Sequence, residues 1–247
     1  MMESDPARMF AHGKYSVRYL PVASVVPIYE RLELASSMDL LTDQIWDKDP
    51  QLFHKMQDSL FSDDDGLMII SLNASNGSIV GFLSFRRLKL DDAHTLFLNF
   101  INILPMHHGS GLYAFLAREL IRDHRTWAGR RPLFYCWRTR NPVMWFANAR
   151  LCTRIMPDLL DGRVDAELCA LAATAARQIY PHNSFDPTTF GMPDSYPEGH
   201  GYKRSQHHSL KHLNDRFYND PALACPNAAL FGFGELAPLR QGSFAEP

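Results

Sequence analysis

Residues 95–122 read TLFLNFINILPMHHGSGLYAFLARELIR, and this stretch decides the fold. The near-continuous apolar run from Thr95 to Leu104 is typical of a central strand that is covered on both faces. From Gly111 to His124 the apolar residues recur at helical spacing, so the period changes at Gly109. The stretch therefore predicts a strand, a glycine-containing turn and a helix.

The turn between that strand and helix combines two features that attract anions. The first N–H groups of a helix have no carbonyl partner within it, and the helix dipole places partial positive charge at the same point. Gly109 and Gly111 allow a tight path, Ser110 can add a hydroxyl, and His107 and His108 can add donors or positive charge. The same turn also occurs in α/β proteins that bind no phosphate. With its context, the turn predicts a phosphate or pyrophosphate ligand.

The chain before this stretch predicts strands and short helices. An Asn-Gly pair is a strong signal for a two-residue turn between antiparallel strands. The acidic triplet Asp63 to Asp65 is expected in an exposed loop or cap. The predicted elements are a strand over 15–20, helices over 25–37 and 50–60, and strands over 67–72 and 78–88, with turns at Asn76-Gly77 and Asp91-Asp92.

The chain after it continues the alternation of strands and helices. A strand is predicted over 132–139, and Asn141 can cap a helix that runs to Arg150 with Pro142 in its first turn. A helix over 164–180 and a last strand over 228–236, which rejoins the sheet, follow in the second half; the stretch 181–226 yields no predicted element. We therefore predict an α/β fold with a central mixed sheet flanked by helices, a core over 1–157 and a C-terminal extension over 158–247.

Composition excludes several classes of protein. The chain has 46% apolar residues and a net charge of -2, so it can bury a core and has no excess of positive charge for nucleic acid or an anionic membrane. No apolar run spans a bilayer, and the four cysteines are isolated, which favours a reducing cytoplasm. His208 and His212 have the spacing of metal ligands but no intervening Glu, so the group of His200, His207, His208 and His212 is expected to be a solvated segment, and no metal is predicted.

At the strand-turn-helix stretch the sequence resembles the GNAT superfamily of N-acetyltransferases. In that family a Gln or Arg, two residues, Gly, one residue, and Gly or Ala form the loop that holds the pyrophosphate of coenzyme A. Here His108 stands at the Gln/Arg position, Gly111 matches the central glycine, and Tyr113 replaces the last Gly or Ala. The resemblance implies an acyl-coenzyme A co-substrate, held by His108, Gly109, Ser110, Gly111, Leu112 and Tyr113 at its pyrophosphate, by the backbone of Ile101, Asn102 and Ile103 at its pantetheine arm, and by Asn141.

The residues that the family commonly uses for proton transfer are absent. No Asp or Glu occurs between Thr95 and Ile103, where the resemblance places the general base, and Asn148 occupies the position of the tyrosine that protonates the leaving thiolate. Among the nearest polar residues, Asn99 and Tyr135 are the candidate catalytic residues. The others are His94, His107 and Cys136.

Three functions fit these observations. The first is an N-acetyltransferase in which a primary amine of a small molecule or peptide attacks the thioester directly, with a backbone N–H near Asn102 or Ile103 holding the oxyanion. The second is a binding protein that keeps the fold and coenzyme A but not the chemistry. The third is an acyl synthase that uses an acyl carrier protein, because the long C-terminal region can form an acyl pocket or docking face. A homodimer is compatible with all three.

Overall fold

The computed structural model describes residues 7–45, 52–73, 78–90, 93–196, 209–220 and 227–237, with Leu223 and Cys225. The predicted turns at 76–77 and 91–92, the histidines at 200, 207 and 208, and the tail after residue 238 lie outside the described residues. The chain forms two compact units. The described residues of the first unit fall within 1–87 and 98–127, and those of the second within 88–97 and 128–241.

The first unit is a sheet with helices on its faces. Its strands are neighbours in the order β1-β2-β3-β4-β5, and the pairs β1–β2, β2–β3 and β3–β4 are antiparallel. The last two strands extend into the second unit. The elements in chain order are β1 (Arg8–His12), β2 (Tyr15–Leu20), α1 (Ile28–Asp43), α2 (Leu52–Lys55), α3 (Gln57–Leu60), β3 (Asp65–Leu72), β4 (Ile79–Leu90), β5 (Ala93–Ile103) and α4 (Leu112–Ala128).

Alternation along β2 explains how this sheet is covered on both faces. Leu20 belongs to an apolar cluster that contains Met38 of α1 and Phe82 of β4. Tyr19 points to the opposite face, where its hydroxyl donates to Asp123 of α4. Complete burial of a side chain such as Met38 or Phe82 stabilises the fold by about 1.5–3 kcal/mol.

The second unit completes the mixed sheet. Its strands are neighbours in the order β5-β6-β9-β7, and β9 is antiparallel to β6, β7 and β8. The chain from β5 to its neighbour β6 passes through α4, and parallel strands need such a crossover. The predicted α/β fold with a mixed sheet flanked by helices is thereby confirmed. The remaining elements are β6 (Leu133–Thr139), α5 (Pro142–Ala149), β7 (Cys152–Met156), α6 (Ala166–Ile179), β8 (Gly191–Met192), α7 (Lys211–Tyr218) and β9 (Ala229–Leu236).

A glycine of β9 makes room for the largest side chain of β6. Trp137 pairs with Gly232 in the β6–β9 ladder. A Cβ atom on Gly232 would lie 2.4 Å from Cε2 of the Trp137 indole. Because this distance is far below van der Waals contact, only glycine at residue 232 allows the indole to lie flat against the neighbouring strand.

Several elements differ from the sequence predictions. Helix α1 begins at Ile28 because Pro27 is its N-cap, and it continues to Asp43. The single helix predicted over 50–60 is two helices of one turn each, α2 and α3. Strands β1, β7 and β8 and helix α7 were not predicted; β1, β7 and β8 have only two to five residues, too few for a clear alternation of apolar and polar side chains.

The acidic triplet is exposed only in part. Asp63 and Asp64 are exposed, but Asp65 is 1% exposed and begins β3. Its carboxylate accepts two hydrogen bonds from the guanidinium of Arg86, at 2.8 and 3.0 Å, and one from the Ser62 hydroxyl. The prediction of an exposed loop or cap is therefore wrong for Asp65, which is buried and forms an ion pair with the half-buried Arg86.

None of the described helices is long and apolar enough to cross a bilayer.

Candidate cofactor site

The peptide groups at the end of β5 alternate in direction. The N–H of Leu104 donates to the carbonyl of Val80 on β4 at 2.9 Å. Alternate residues of a strand direct their peptide groups to the same side, so Asn102 also faces β4 while Ile101 and Ile103 face away from it. The Asn102 carbonyl is accordingly only 2.8 Å from the Cβ position of Gly81 on β4. Of the three residues predicted to pair with a pantetheine arm, Ile101 and Ile103 direct their peptide groups away from the β4 ladder.

The side chains at this end of β5 leave part of the strand accessible. Asn99, Ile101 and Ile103 are half-buried, whereas Asn102 is 7% exposed and directs its amide toward the Thr42 hydroxyl of α1, 3.5 Å away. The Asn102 side chain thus belongs to the packing between β5 and α1.

The turn after β5 has the backbone that the sequence predicts. A single turn of 3-10 helix over Pro105–His107 reverses the chain, and Gly109 and Gly111 then take φ values of 72° and 71°. Residues with a side chain rarely adopt this region of backbone conformation, so glycine is favoured at both positions. Helix α4 begins immediately afterwards at Leu112. The turn therefore leads into the N-terminus of a 17-residue helix, where the first N–H groups have no carbonyl partner within the helix.

The polar side chains of the turn bond to its own backbone. The Ser110 hydroxyl donates to the His107 carbonyl at 2.7 Å, and the His108 Nε2 donates to the Ile103 carbonyl at 2.8 Å. His107 is buried, and its Nδ1 lies 3.2 Å from the hydroxyl of Tyr15. Burial, with Lys14 and His108 nearby, lowers the pKa of His107, so this residue is neutral at pH 7 and supplies no positive charge.

An imidazole from outside the predicted loop borders the same turn. His12 of β1 stacks on the ring of Phe115, with centroids 4.6 Å apart, and its Nε2 is 3.4 Å from the carbonyl of Ser110. It is also 3.9 Å from the Cβ position of Gly111. The only sequence signal for this placement is Gly13, whose φ of 54° turns β1 back onto β2. His12 thus adds an imidazole to the edge of the turn from outside the predicted loop.

The first turn of α4 is anchored by its apolar residues. Leu112 is 2% exposed and Phe115 is 8% exposed, so both belong to the core, and Leu112 can offer a ligand only its backbone. Tyr113 is half-buried at the position where the resembled family has a small residue.

Two of the predicted site residues lie in the second unit. The Tyr135 hydroxyl of β6 donates to Oδ1 of Asn148 on α5 at 2.9 Å, and both side chains are buried. Asn141 is the N-cap of α5, and its Oδ1 accepts from the N–H groups of Val143 and Met144. Capping therefore uses the acceptor atom of the Asn141 side chain.

Two other polar candidates, His94 of β5 and Cys136 of β6, are also in the second unit. Burial, together with Arg131 and Lys89, lowers the pKa of His94. Burial, with Cys152 nearby, raises the pKa of the Cys136 thiol well above its usual range, so this thiol stays protonated. Among the described residues, no group of three His, Cys, Asp or Glu side chains is placed to hold a metal ion.

The site that the first unit assembles is therefore a strand end and a turn. It comprises the peptide groups of Ile101 and Ile103 that face away from β4, the two glycines of the turn, the start of α4, and the imidazoles of His12 and His108. It provides hydrogen-bond donors and acceptors without a carboxylate on β5, which suits binding of an elongated anionic ligand.

Among known proteins, only solved structures are similar to this chain. No protein-family model matches the sequence, and no curated protein matches it. A protein from Chromobacterium violaceum, described as a probable acetyltransferase of the GNAT family, is 15% identical, with a TM-score of 0.43 over 66% of this chain and 87% of its own. The aminoglycoside N-acetyltransferase AAC(6')-Iy in complex with CoA is 15% identical, with a TM-score of 0.38 over 60% of this chain and 88% of its own. Spermidine N-acetyltransferase from Vibrio cholerae is 11% identical, with a TM-score of 0.37 over 56% of this chain and 78% of its own.

Proposed function

We propose that this chain is an acyl-coenzyme A dependent N-acyltransferase that transfers an acetyl group to a primary amine of a small molecule or peptide. The observation that carries the proposal is the joint placement of two groups in one unit. The end of β5, where the peptide groups of Ile101 and Ile103 face away from β4, leads directly into the turn of Gly109 and Gly111 at the start of α4. A strand end next to an anion-binding turn matches a ligand that has amides at one end and a diphosphate at the other.

The residues fit such a ligand chemically. A diphosphate needs several N–H donors at close range. Backbone N–H groups lie at the N-terminus of α4, and neither glycine places a Cβ atom beside them. These N–H groups belong to Gly109, Ser110, Gly111, Leu112 and Tyr113. The amides of a pantetheine arm need strand-like partners, which Ile101 and Ile103 supply. Asn141, whose Oδ1 caps α5, is kept as a proposed cofactor contact.

The chemistry requires few groups from the protein. The acyl-coenzyme A supplies the thioester; the nitrogen of the neutral amine bonds to its carbonyl carbon, and the carbon–sulfur bond then breaks. A backbone N–H of Ile101 or Ile103 stabilises the oxyanion, and water takes the proton of the amine. The thiolate sulfur takes up a proton, for which the Tyr135 hydroxyl is the proposed donor. Asn99, half-buried on β5, is proposed to orient the amine.

The test measures transfer and binding on the same preparation. Full-length protein is incubated with acetyl-coenzyme A and a panel of primary amines, including spermidine, an aminoglycoside and a peptide with a free N-terminus. Release of coenzyme A is followed with a thiol reagent, and binding of acetyl-coenzyme A by calorimetry. We expect micromolar binding and amine-dependent release of thiol. Absence of binding to both acetyl-coenzyme A and coenzyme A contradicts the proposal.

A coenzyme A binding protein without activity is the second candidate function. It is favoured by β5, where residues 93–103 contain no Asp or Glu, and by Tyr113 in the cradle. If Tyr113 obstructs the cofactor, replacing it with Gly strengthens binding of coenzyme A. Unchanged affinity in Tyr113→Gly excludes obstruction, and amine-dependent release of thiol by the native protein excludes this candidate.

A further inference from the structure

The side chain of His108 occupies a backbone acceptor of the proposed cofactor site. Because the Ile103 carbonyl faces away from β4, the β4 ladder does not use it, and the Nε2 of His108 lies 2.8 Å from its oxygen. A carbonyl only accepts, so Nε2 carries the hydrogen. The imidazole therefore caps the strand end at the position where an amide of the pantetheine arm would donate.

The 3-10 turn brings His108 back to the strand. The N–H of His107 donates to the Leu104 carbonyl at 2.9 Å, and that of His108 donates to the Pro105 carbonyl at 3.0 Å. These bonds fold five residues so that the side chain of His108 reaches Ile103. Since His108 is exposed, its ring can leave this contact by side-chain rotation without opening the core.

Release of the ring places a donor beside the turn. His108 directly precedes Gly109, and His108 is the residue at the Gln/Arg position of the resembled loop. An imidazole that no longer bonds to Ile103 offers its N–H to a phosphate oxygen next to Gly109. One residue thus has two alternative partners, the strand end and the ligand.

We propose that His108 is a coupling residue that exchanges the Ile103 carbonyl for the diphosphate when the pantetheine arm binds. This inference rests on the proposed function and adds a regulation of the same site. The pantetheine amide displaces the ring from Ile103, and the displaced ring then binds phosphate. Occupation of one half of the site therefore strengthens binding at the other half.

The test uses the two halves of the cofactor as separate ligands. Dissociation constants of pantetheine and of ADP are measured by calorimetry or NMR titration for the full chain and for His108→Ala, each ligand alone and in the presence of the other. In the native protein we expect saturating pantetheine to tighten ADP binding about twofold to tenfold, the range that one net hydrogen bond allows. In His108→Ala we expect this coupling to vanish and pantetheine alone to bind about twofold to tenfold more tightly.

The control is His182→Ala, which removes an exposed imidazole outside the proposed site and leaves the His108 contact. This variant should retain the coupling. Equal coupling in the native protein and His108→Ala, absence of coupling in the native protein, or weaker pantetheine binding in His108→Ala overturns the inference. These outcomes leave the proposed function intact as long as acetyl-coenzyme A binds to the native protein. Failure of acetyl-coenzyme A itself to bind contradicts the proposed function and the inference together.

Discussion

The hydroxyl of Tyr135 on β6 donates to the side-chain carbonyl of Asn148 on α5, 2.9 Å away. By the sequence resemblance, Asn148 stands where the family has the tyrosine that protonates the leaving thiolate, and Tyr135 is a phenol in contact with Asn148. The Tyr135 ring is held at an interplanar angle of 36° to Trp137, with centroids 5.2 Å apart. The contact makes Tyr135 the proposed proton donor.

Tyr135→Phe tests this role. The variant keeps the ring and its packing but has no hydroxyl, so we expect kcat to fall about 100-fold, as for loss of a general acid. The affinity for acetyl-coenzyme A should stay within about twofold, and the free energy of unfolding should fall by about 1 kcal/mol through loss of one hydrogen bond. Steady-state kinetics, calorimetry and urea unfolding measure the three quantities. An unchanged kcat excludes Tyr135 as the proton donor.

The buried His124 predicts how stability depends on pH. Burial, reinforced by Arg87, lowers the pKa of His124 to about 3. Below pH 6.5 the unfolded chain binds a proton that the folded chain does not. The contribution of neutral His124 to the free energy of unfolding is therefore fully present above pH 6.5. Below pH 6.5 the free energy of unfolding decreases by about 1.4 kcal/mol for each unit of pH, down to about pH 3.

His124→Gln removes this titration while keeping a polar side chain. Chemical unfolding of the native protein and the variant between pH 7.5 and 4.5 should show a smaller slope for the variant by about 1.4 kcal/mol per unit below pH 6.5. Asp123 provides an internal check. Burial alone would raise its pKa, but hydrogen bonds from Tyr19 and Arg8 lower it on balance, so its contribution is lost only at more acidic pH. Parallel curves for the two proteins would contradict the assignment to His124.

The acidic triplet offers a matched pair of substitutions. Asp65→Ala removes the carboxylate that the half-buried Arg86 guanidinium contacts, which should lower the free energy of unfolding by about 1.5–3 kcal/mol. Asp63→Ala removes an exposed carboxylate two residues away, with an expected change within about 0.5 kcal/mol. Urea unfolding of the two variants and the native protein at pH 7 measures both changes. Similar stabilities would show that the Asp65–Arg86 pair does not hold β3 to β4.

The strand-turn-helix of residues 95–122 could be predicted because its signals are local. Strand β5 is an apolar run, the glycines at 109 and 111 mark positive φ, and the apolar period of α4 follows directly. The N-cap role of Asn141 was also predictable, since a cap and its N–H partners are three residues apart or fewer.

The contacts that define the site chemically depend on distant residues and could not be predicted. The direction of the Ile103 carbonyl follows from the pairing of β5 with β4, and a shift of one residue would reverse it. Tyr135 and Asn148 meet across two elements, and His12 reaches Ser110 although 98 residues separate them in sequence. The sequence suggests Tyr135 as a candidate, but only the fold brings these residues into contact.

The most direct test of the central claim compares two glycines with the same backbone. Gly111 and Gly162 have φ values of 71° and 69°, and an added Cβ meets only His12 at 3.9 Å in the first case and nothing within 4 Å in the second. Replacement of either by Ala should cost similar stability, about 1–2 kcal/mol, because the strain is the same. If the turn holds the diphosphate, calorimetry with acetyl-coenzyme A will show binding about tenfold or more weaker in Gly111→Ala and unchanged in Gly162→Ala. Equal affinity of both variants and the native protein would contradict the placement of coenzyme A on this turn.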